Sequence, residues 1–206
     1  MTERQPRFAR SHPSPTLGAR RPDAARRRLL ALLGLGVLMP PEVSRAALAG
    51  RHLAPTPPDA EGPFFLPGAP ARTSLREAGA GGTPLLVRGR VLSTRGEALA
   101  GARLDFWHTD AAGAYDHRGF RFRGHQYTDS EGRYRLETIV PGAYPGRTRH
   151  IHVKLAVPRH RPLTTQLYFP GEARNRDDFL FKPALLLALT DTAPEALARF
   201  DFVLAG

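Results

Sequence analysis

A short stretch of the chain combines two imidazoles with a phenol and two guanidinium groups. His150 and His152 open an alternating segment in which Ile151, Val153 and Leu155 take the intervening positions. Alternate residues of a β-strand share one face, so the apolar set should face the core and the two histidines should lie together on the other face. Two imidazoles so placed can bind one metal ion. An ordinary polar strand face is the alternative that the pair alone leaves open.

Two tyrosines in glycine-marked turns supply a second type of candidate ligand. Tyr115 and Tyr144 each stand two residues after a glycine, and Tyr144 precedes His150 by six residues. Taken singly, each is also consistent with an exposed turn residue or a corner anchor. Phenolate oxygens are hard anionic donors, and two phenolates with two neutral imidazoles suit a ferric ion best. The chain has no cysteine, which excludes a thiolate metal site, a cysteine nucleophile and a disulfide framework.

Composition and turn signals predict the elements that position these residues. The 206 residues are 41% hydrophobic and include 20 glycines and 20 prolines, which favours one core with short strands and many turns. Strand patterns separated by turn signals cover residues 85–92, 102–108, 133–137, 150–157, 164–169 and 198–204. Residues 184–190 are apolar and ambiguous. The sequence therefore predicts an all-β fold, a small antiparallel β-sandwich.

An irregular arm is predicted ahead of the sandwich. Residues 50–82 are rich in proline, glycine and alanine and contain the adjacent pair Phe64 and Phe65. Two neighbouring phenylalanines seldom remain in solvent, so we expect this arm to be ordered and to lie over the catalytic sandwich domain, residues 83–206.

Residues 1–49 show the three parts of a bacterial export signal. A basic region with arginines at 26–28 precedes an apolar run, residues 29–39, and Ala47-Leu48-Ala49 has the pattern of a cleavage site. The apolar run is shorter than the about 20 residues that span a bilayer. The paired arginines indicate the twin-arginine type. We therefore expect a periplasmic or secreted protein with no stable membrane insertion once the signal is removed.

The net charge of +11 is concentrated in the same segment. Residues 1–49 contain nine arginines and three acidic residues, and so carry six of the eleven positive charges. The rest of the chain is mildly basic and has no linear run of Lys and Arg interleaved with aromatic residues. We therefore expect no nucleic-acid partner, and a small anionic substrate suits the domain better.

Taken together, the motifs resemble those of the intradiol ring-cleavage dioxygenases, above all the catalytic subunit of protocatechuate 3,4-dioxygenase and its short exported relatives. The matching motifs are WHTDAAGAY at residues 107–115, TDSEG at 128–132, PGAYP at 141–145, Arg147 with HIH at 150–152, EGPFF at 61–65 and TQLYF at 165–169. The resemblance covers roughly residues 55–204. It implies the transthyretin-like (prealbumin-like) sandwich topology of that family.

The resemblance also implies a non-haem Fe(III) cofactor. Its ligands would be Tyr115, Tyr144, His150 and His152, and Tyr144 would match the axial tyrosine that leaves the metal when substrate binds. The implied reaction cleaves a catechol-type ring between its two hydroxylated carbons, with O2, to a cis,cis-muconate-type diacid.

Further residues match positions around the family's substrate pocket. Arg147 matches an arginine that stabilises negative charge on the reacting ring, and Gln166 matches a pocket glutamine. Gly62, Pro63 and Trp107 would lie near the substrate.

The chain departs from the family pattern at three points. Gly146 stands where the protocatechuate enzyme has tryptophan, which predicts an open pocket wall, and His108 stands where glutamine is common. His108 could support the site or be a plain strand residue, and we interpret His117 and His125 as loop residues. The helical dimerisation segment of the catechol-type enzymes has no room here, so a homo-oligomer is possible but its geometry is not implied.

Two other functions compete with the enzyme. A non-catalytic transthyretin-like or carboxypeptidase-regulatory-like binding module would share the scaffold turns, and an imidazole-only zinc or copper site would leave both tyrosines idle. The binding module needs neither Tyr115, nor the histidine pair, nor Arg147. All of these are present, so we expect the enzyme.

Overall fold

The computed structural model describes residues 52–191 and 195–206. The export signal predicted over residues 1–49 lies outside this part of the chain and stays a prediction. Among the described residues, no helix has both the length and the apolar character needed to cross a membrane.

Strands and two short 3-10 helices make up the regular structure of the described residues. The strands are β1 (Pro84–Ser93), β2 (Arg103–Trp107), β3 (Arg123–Tyr127), β4 (Arg133–Ile139), β5 (His150–Ala156), β6 (Leu163–Tyr168), β7 (Ala188–Asp191), β8 (Ala196–Arg199) and β9 (Phe202–Leu204), with 3-10 helices at Ala173–Arg176 and Pro183–Leu185. The first sheet has the order β3-β2-β5-β6 and is antiparallel throughout. The second has the order β4-β1-β8-β7, and β9 continues the pairing along β1. In this sheet β8 and β9 run parallel to β1. The predicted all-β sandwich is confirmed.

The core fills the space between the two sheets. It is formed by inward-facing residues of both, among them Leu85, Val87, Leu104, Leu136, Ile151, Val153, Leu155 and Leu167. Each large aliphatic side chain so buried contributes roughly 1.5–3 kcal/mol of transfer free energy. The alternation predicted for β5 is therefore confirmed, because Ile151, Val153 and Leu155 are fully buried in the core.

Two sequence interpretations were wrong. The segment after Tyr115 is not wholly a loop, because it contains β3, and His125 is a strand residue whose Nδ1 lies 2.7 Å from the carbonyl oxygen of Ala69. The stretch 198–204 is two strands rather than one. The break falls at Phe200. The carbonyl oxygen of Phe200 lies against Gly89 of β1, so close that a Cβ on Gly89 would be 1.7 Å from it.

The segment from residue 52 to 83 forms no strand, only isolated bridges at Ala71 and Ser74. Its backbone instead bonds to the edges of both sheets: the amide of Asp59 donates to Thr164 (2.8 Å) and that of Leu75 to Glu137 (2.8 Å). Backbone groups that would otherwise be buried without partners are thus satisfied. We call this segment the arm, and it lies over the face of β5 that does not face the core.

Candidate metal centre

The histidine pair lies on the arm-covered face of β5. His150 and His152 are only 3% and 1% exposed, and their Nε2 atoms are 3.1 Å apart. Nδ1 of His150 lies 2.7 Å from the carbonyl oxygen of Thr148. A carbonyl can only accept, so this Nδ1 carries the proton and Nε2 presents its lone pair toward His152. The pair therefore does not lie on a solvated strand face, because both rings are buried.

Burial keeps both imidazoles neutral. It lowers the pKa of His150 to about 4, and the charge of nearby Arg147 acts in the same direction. The pKa of His152 is well below its usual value, mainly through burial and then through His150 and Arg147. A neutral imidazole is the form that binds a metal ion.

Both candidate tyrosines join this pair in one cluster of rings. The ring of Tyr144 lies 5.7 Å from that of His150, the ring of Tyr115 lies 6.4 Å from that of His152, and the two phenol rings are 5.8 Å apart. The Tyr115 hydroxyl is buried with no hydrogen-bond partner in the described structure. Burial, followed by Tyr144, raises the pKa of Tyr115. A buried polar group without a partner costs about 1–3 kcal/mol. A metal ion bound by the Tyr115 oxygen would remove this cost.

The donor set fits a ferric ion. Within residues 52–191 and 195–206, no three His, Cys, Asp or Glu side chains converge in a way that could hold a metal. The side chains that adjoin the histidine pair and could supply further donors are the phenols of Tyr115 and Tyr144. Two features of the structure agree with that: the facing Nε2 atoms of the pair and the unpartnered hydroxyl of Tyr115. Two phenolate oxygens and two imidazole nitrogens are hard and borderline donors of the kind that Fe(III) prefers.

Two glycines let the tyrosine loops approach each other. The Gly142 amide donates to the carbonyl of Asp110 at 2.8 Å. A Cβ on Gly142 would lie 2.3 Å from the amide nitrogen of Gly113, and one on Gly113 would lie 2.3 Å from the carbonyl oxygen of Ala143. Gly113 also has a φ of +87°, which a residue with a side chain rarely adopts. The glycines two residues before Tyr115 and Tyr144 are thus what brings the two phenols together.

Arg147 is held in a fixed orientation beside the rings. Its Nε donates to both carboxylate oxygens of Asp178, at 2.9 and 3.1 Å, and its Nη2 donates to Oε1 of Gln166 at 2.5 Å. Nη1 lies 3.4 Å from the Tyr144 hydroxyl. Gln166 is itself oriented by a 2.8 Å hydrogen bond from its Nε2 to the carbonyl of Ala60 in the arm.

Asp178 was missed by sequence reasoning. Burial would raise its pKa, but hydrogen bonds from the backbone amides of Thr148 and Leu180 and from Arg147 together lower it, so it stays an anion. It follows the first 3-10 helix in a loop without regular spacing, and no sequence signal distinguishes it from the neighbouring Asp177.

The arm and the end of β2 line the remaining sides of the cluster. The indole of Trp107 stacks on His152 with 4.7 Å between ring centroids, and Phe64 stacks on Tyr115 at 4.2 Å. Gly62 lies so close that its Cβ would be 3.6 Å from Cε1 of His152, and Pro63 follows it at an exposed position. A Cβ on Gly146 would meet nothing within 4 Å. The cluster is therefore walled by aromatic residues on the arm side and open at Gly146.

A second buried arginine was also missed. Arg123 is 2% exposed, donates to the carbonyls of Phe64 (2.6 Å) and Asp116 (2.9 Å), and holds its guanidinium carbon 5.6 Å from the Tyr115 ring centroid. It has no salt-bridge partner in the described part of the chain. It lies in β3, which the sequence pattern did not predict, so nothing in the sequence marked it as buried.

His108 and His117, the two other histidines near the site in the sequence, differ in burial. His108 is fully buried and bridges two groups, with Nδ1 2.6 Å from the carbonyl of Thr109 and Nε2 2.6 Å from the Thr138 hydroxyl. Burial lowers the pKa of His108 to about 4. His117 is exposed and meets the edge of Phe64.

Comparison with known proteins agrees with the fold. Residues 60–206 match the family model described as Dioxygenase. The chain is 35% identical over 146 residues to chlorocatechol 1,2-dioxygenase of Pseudomonas putida, covering 59% of this chain and 56% of the relative. It is 29% identical over 178 residues to catechol 1,2-dioxygenase of Acinetobacter baylyi, covering 71% and 57%. The chain thus spans little more than half the length of these curated relatives.

Among solved structures, the dioxygenase domain of a dioxygenase carbohydrate-binding protein fusion from Streptomyces sp. SirexAA-E is 54% identical, with a TM-score of 0.71 over 74% of this chain and 99% of that one. The 3-chlorocatechol 1,2-dioxygenase of Rhodococcus opacus 1CP is 32% identical, with a TM-score of 0.70 over 78% and 75%. The structure therefore defines the protein as a β-sandwich with a cluster of histidine and tyrosine side chains under an arm. The chain belongs to the intradiol ring-cleavage dioxygenase family.

The contact between the tyrosine loops gives a first prediction. In Gly142→Ala, the new methyl group should push the two loops apart at a cost of about 1–3 kcal/mol. We expect Fe(III) binding to weaken at least about tenfold, which corresponds to about 1.4 kcal/mol, while the variant still folds. An iron titration followed by absorbance measures this. Gly81→Ala, whose Cβ would meet nothing within 4 Å, is the control. Equal iron affinity in both variants would contradict the argument.

The pKa of His108 predicts a pH-dependent stability. Between pH 6.5 and about 4 the unfolded chain binds a proton at this position and the folded protein does not, so the free energy of unfolding falls as the pH falls. From pH 7 to 4.5, His108 should contribute about 2.5 kcal/mol of this loss. His108→Gln should reduce the loss by about that amount in urea unfolding, with His52→Gln at an exposed position as the control. An unchanged loss in His108→Gln would show that His108 protonates in the folded state.

Proposed function

We propose that this protein is a non-haem Fe(III)-dependent intradiol dioxygenase that cleaves a catechol-type ring with O2 to a cis,cis-muconate-type diacid. One observation carries the proposal: two neutral imidazoles and two phenols converge under the arm, and the hydroxyl of Tyr115 has no other partner. Residues Tyr115, Tyr144, His150 and His152 would hold the ion. When bound, the ion would supply the Lewis acidity that makes both catechol hydroxyls acidic and would let the ring donate electron density toward O2.

Tyr144 is suited to accept a proton from the substrate. It is only half-buried, whereas Tyr115 is buried against Phe64. Gly146, two residues after Tyr144, leaves open space where a side chain would stand, and we propose that the substrate enters on this side. A phenolate there acts as a general base within reach of the catechol. Tyr115 cannot leave its place without breaking its stack with Phe64.

Arg147 is suited to stabilise the negative charge that the ring develops. Asp178 and Gln166 fix its guanidinium before substrate arrives, so no reorganisation is needed when the charge appears. Its charge is permanent. Trp107, Phe64 and Phe65 form an apolar wall that excludes water and accepts the face or edge of an aromatic ring.

The competing functions explain less of the geometry. A sandwich that only binds a ligand gains nothing from a dehydrated histidine pair or from an unpartnered buried hydroxyl, both of which cost stability. A zinc or copper ion bound by the imidazoles alone would leave that hydroxyl unpartnered. The curated relatives are named for catechol and chlorocatechol, and we propose a substrate in this broad class of aromatic diols.

Iron loading tests the proposal directly. The purified protein should bind one Fe(III) with a red-brown phenolate-to-iron absorption band, the band should shift when catechol is added, and oxygen uptake should follow. Tyr115→Phe and His152→Ala should lose the band and the activity and keep the strand signal in circular dichroism. A colourless protein that binds zinc stoichiometrically, or no metal, would overturn the proposal. A panel of carboxylated, chlorinated and hydroxylated catechols then defines the substrate.

Arg147 provides a separate test of chemistry against metal binding. In Arg147→Lys the bonds to Asp178 and Gln166 cannot both be kept, so we expect iron affinity and the absorption band to stay while kcat falls about 10²–10³-fold. Single-turnover absorbance under saturating catechol measures the fall. Arg176→Lys, at an exposed position at the end of the first 3-10 helix, is the matched control. Full kcat in Arg147→Lys would remove the electrostatic role assigned to this residue.

A further inference from the structure

The outer face of the second sheet carries arginines at directly paired positions. In the β1–β4 register Arg88 pairs with Arg135 and Arg90 with Arg133. In the β1–β8 register Arg88 also pairs with Arg199. Arg135, Arg88 and Arg199 therefore form a row across three adjacent strands, and all five guanidinium side chains are exposed. We call Arg135, Arg88 and Arg199 the arginine row, and Arg90 and Arg133 lie next to it.

Such an arrangement opposes the stability of the sheet. Like charges at directly opposite positions of neighbouring strands are destabilising. Carboxylates compensate only one edge, where Arg133 pairs with Asp129 and Glu131, and Arg135 pairs with Glu137. For Arg88, Arg90 and Arg199, the described residues provide no carboxylate within salt-bridge distance of the guanidinium group, although Asp201 accepts the backbone amide of Arg90.

A groove of about 750 Å³ lies among these arginines. Its wall also includes Tyr127, which is 56% exposed and is one of the most exposed aromatic side chains of the described structure. Gln126 also lines the groove and is 6% exposed. Its Oε1 accepts the amide of Arg135, whereas its Nε2 has no partner. The groove therefore combines unpaired cations and an exposed ring with one carboxylate, that of Asp129, which bonds to Arg133.

We propose that this groove is a second binding site, for an extended polyanion that carries one carboxylate on each unit, such as a polyuronate. Arginine forks match carboxylates in bidentate fashion. The row places its three guanidinium groups on strands about 4.8 Å apart. A chain lying across the strands meets the unpaired Arg199 and Arg88 at successive steps and then Arg135, which already bonds to Glu137. Tyr127 at the edge offers a face against which a sugar ring packs.

The groove is separate from the metal centre. The centre lies on the arm-covered face of the first sheet. The groove lies on the outer face of the second sheet and reaches Gln126 and Tyr127 at the end of β3, and none of the four candidate metal ligands lines it. The proposal is therefore independent of the proposed enzyme activity. A site of this kind would hold the protein on an acidic polymer while the metal centre stays open to small molecules.

Nucleic acid fits the groove less well than a polyuronate. Proteins that bind single strands stack successive bases on aromatic side chains, and the exposed aromatic of this groove is Tyr127, because the ring of Tyr134 is buried. The phosphates of a nucleic acid could pair with the arginines, but its bases would have no row of aromatic side chains to stack on. Nucleic acid is accordingly an outcome that the experiment below can reveal.

Two charge-matched variants of the whole protein test the proposal. Arg88→Gln with Arg199→Gln removes two cations from the row, whereas Arg159→Gln with Arg161→Gln removes two exposed cations from the connection between β5 and β6. The dissociation constant for de-esterified polygalacturonate is measured by titration calorimetry at two salt concentrations. We expect the first variant to bind about 10- to 30-fold more weakly and the second to stay within about twofold of the unaltered protein.

Each other outcome overturns the proposal. Equal weakening in both variants would show attraction by net charge alone, and no binding by the unaltered protein would show that the groove is only a solvated face. Tighter binding of oligo(dT) than of polygalacturonate, lost in the first variant, would assign the groove to nucleic acid. Oxygen uptake with catechol, measured on the same samples, reports the metal centre separately, so failure of the enzyme proposal is distinguishable.

Discussion

The burial of β5 on both faces is the constraint on which the rest of the site depends. In a two-layer sandwich an antiparallel strand usually shows one face to the core and the other to water. Here the arm takes the place of water over His150 and His152, and this keeps the imidazoles neutral with their Nε2 atoms facing each other. The arm stays in place because its backbone bonds to the sheet edges and because Gln166 donates to the carbonyl of Ala60. The protonation state of the two histidines at the candidate metal centre thus depends on the fold of the arm.

The phenols reach the histidines by a different device. β5 delivers both imidazoles on a rigid strand, whereas Tyr115 and Tyr144 come from separate loops that approach backbone to backbone through Gly113 and Gly142. Glycine is required there because any Cβ would occupy the space of a main-chain atom of the other loop. The two tyrosines are also held unequally, since Tyr115 is stacked and buried while Tyr144 is half-buried near Gly146. This inequality suits one tyrosine to remain in place and the other to exchange a proton.

Strong local patterns made much of the fold predictable. The alternation of β5, the turn signals before β4 and the apolar periodicity of β1 predicted their strands correctly, since these signals are local in the chain. The sequence did not predict β3, because this strand has no apolar alternation of its own and is stabilised by pairing with β2 and the arm. The burial of Arg123 and Asp178 was also not predicted, because a charged residue is buried only where groups distant in the chain, carbonyls or a guanidinium, bond to it. The arginine row is invisible in the linear sequence, since only strand register brings residues 88, 135 and 199 side by side.

The protonation state of Tyr115 is coupled to the binding of a cation. Arg147 is neutralised by Asp178, whereas the hydrogen bonds that Arg123 donates in the described structure go to carbonyl groups beside the Tyr115 ring. Both guanidinium groups act to lower the pKa of Tyr115, yet burial raises it further than they lower it, so the phenol keeps its proton until a cation binds. Binding and proton release are therefore coupled. An ion of high charge stabilises two phenolates at once and offsets their desolvation. A divalent ion bound by the imidazoles alone would leave the hydroxyl of Tyr115 buried, protonated and without a partner.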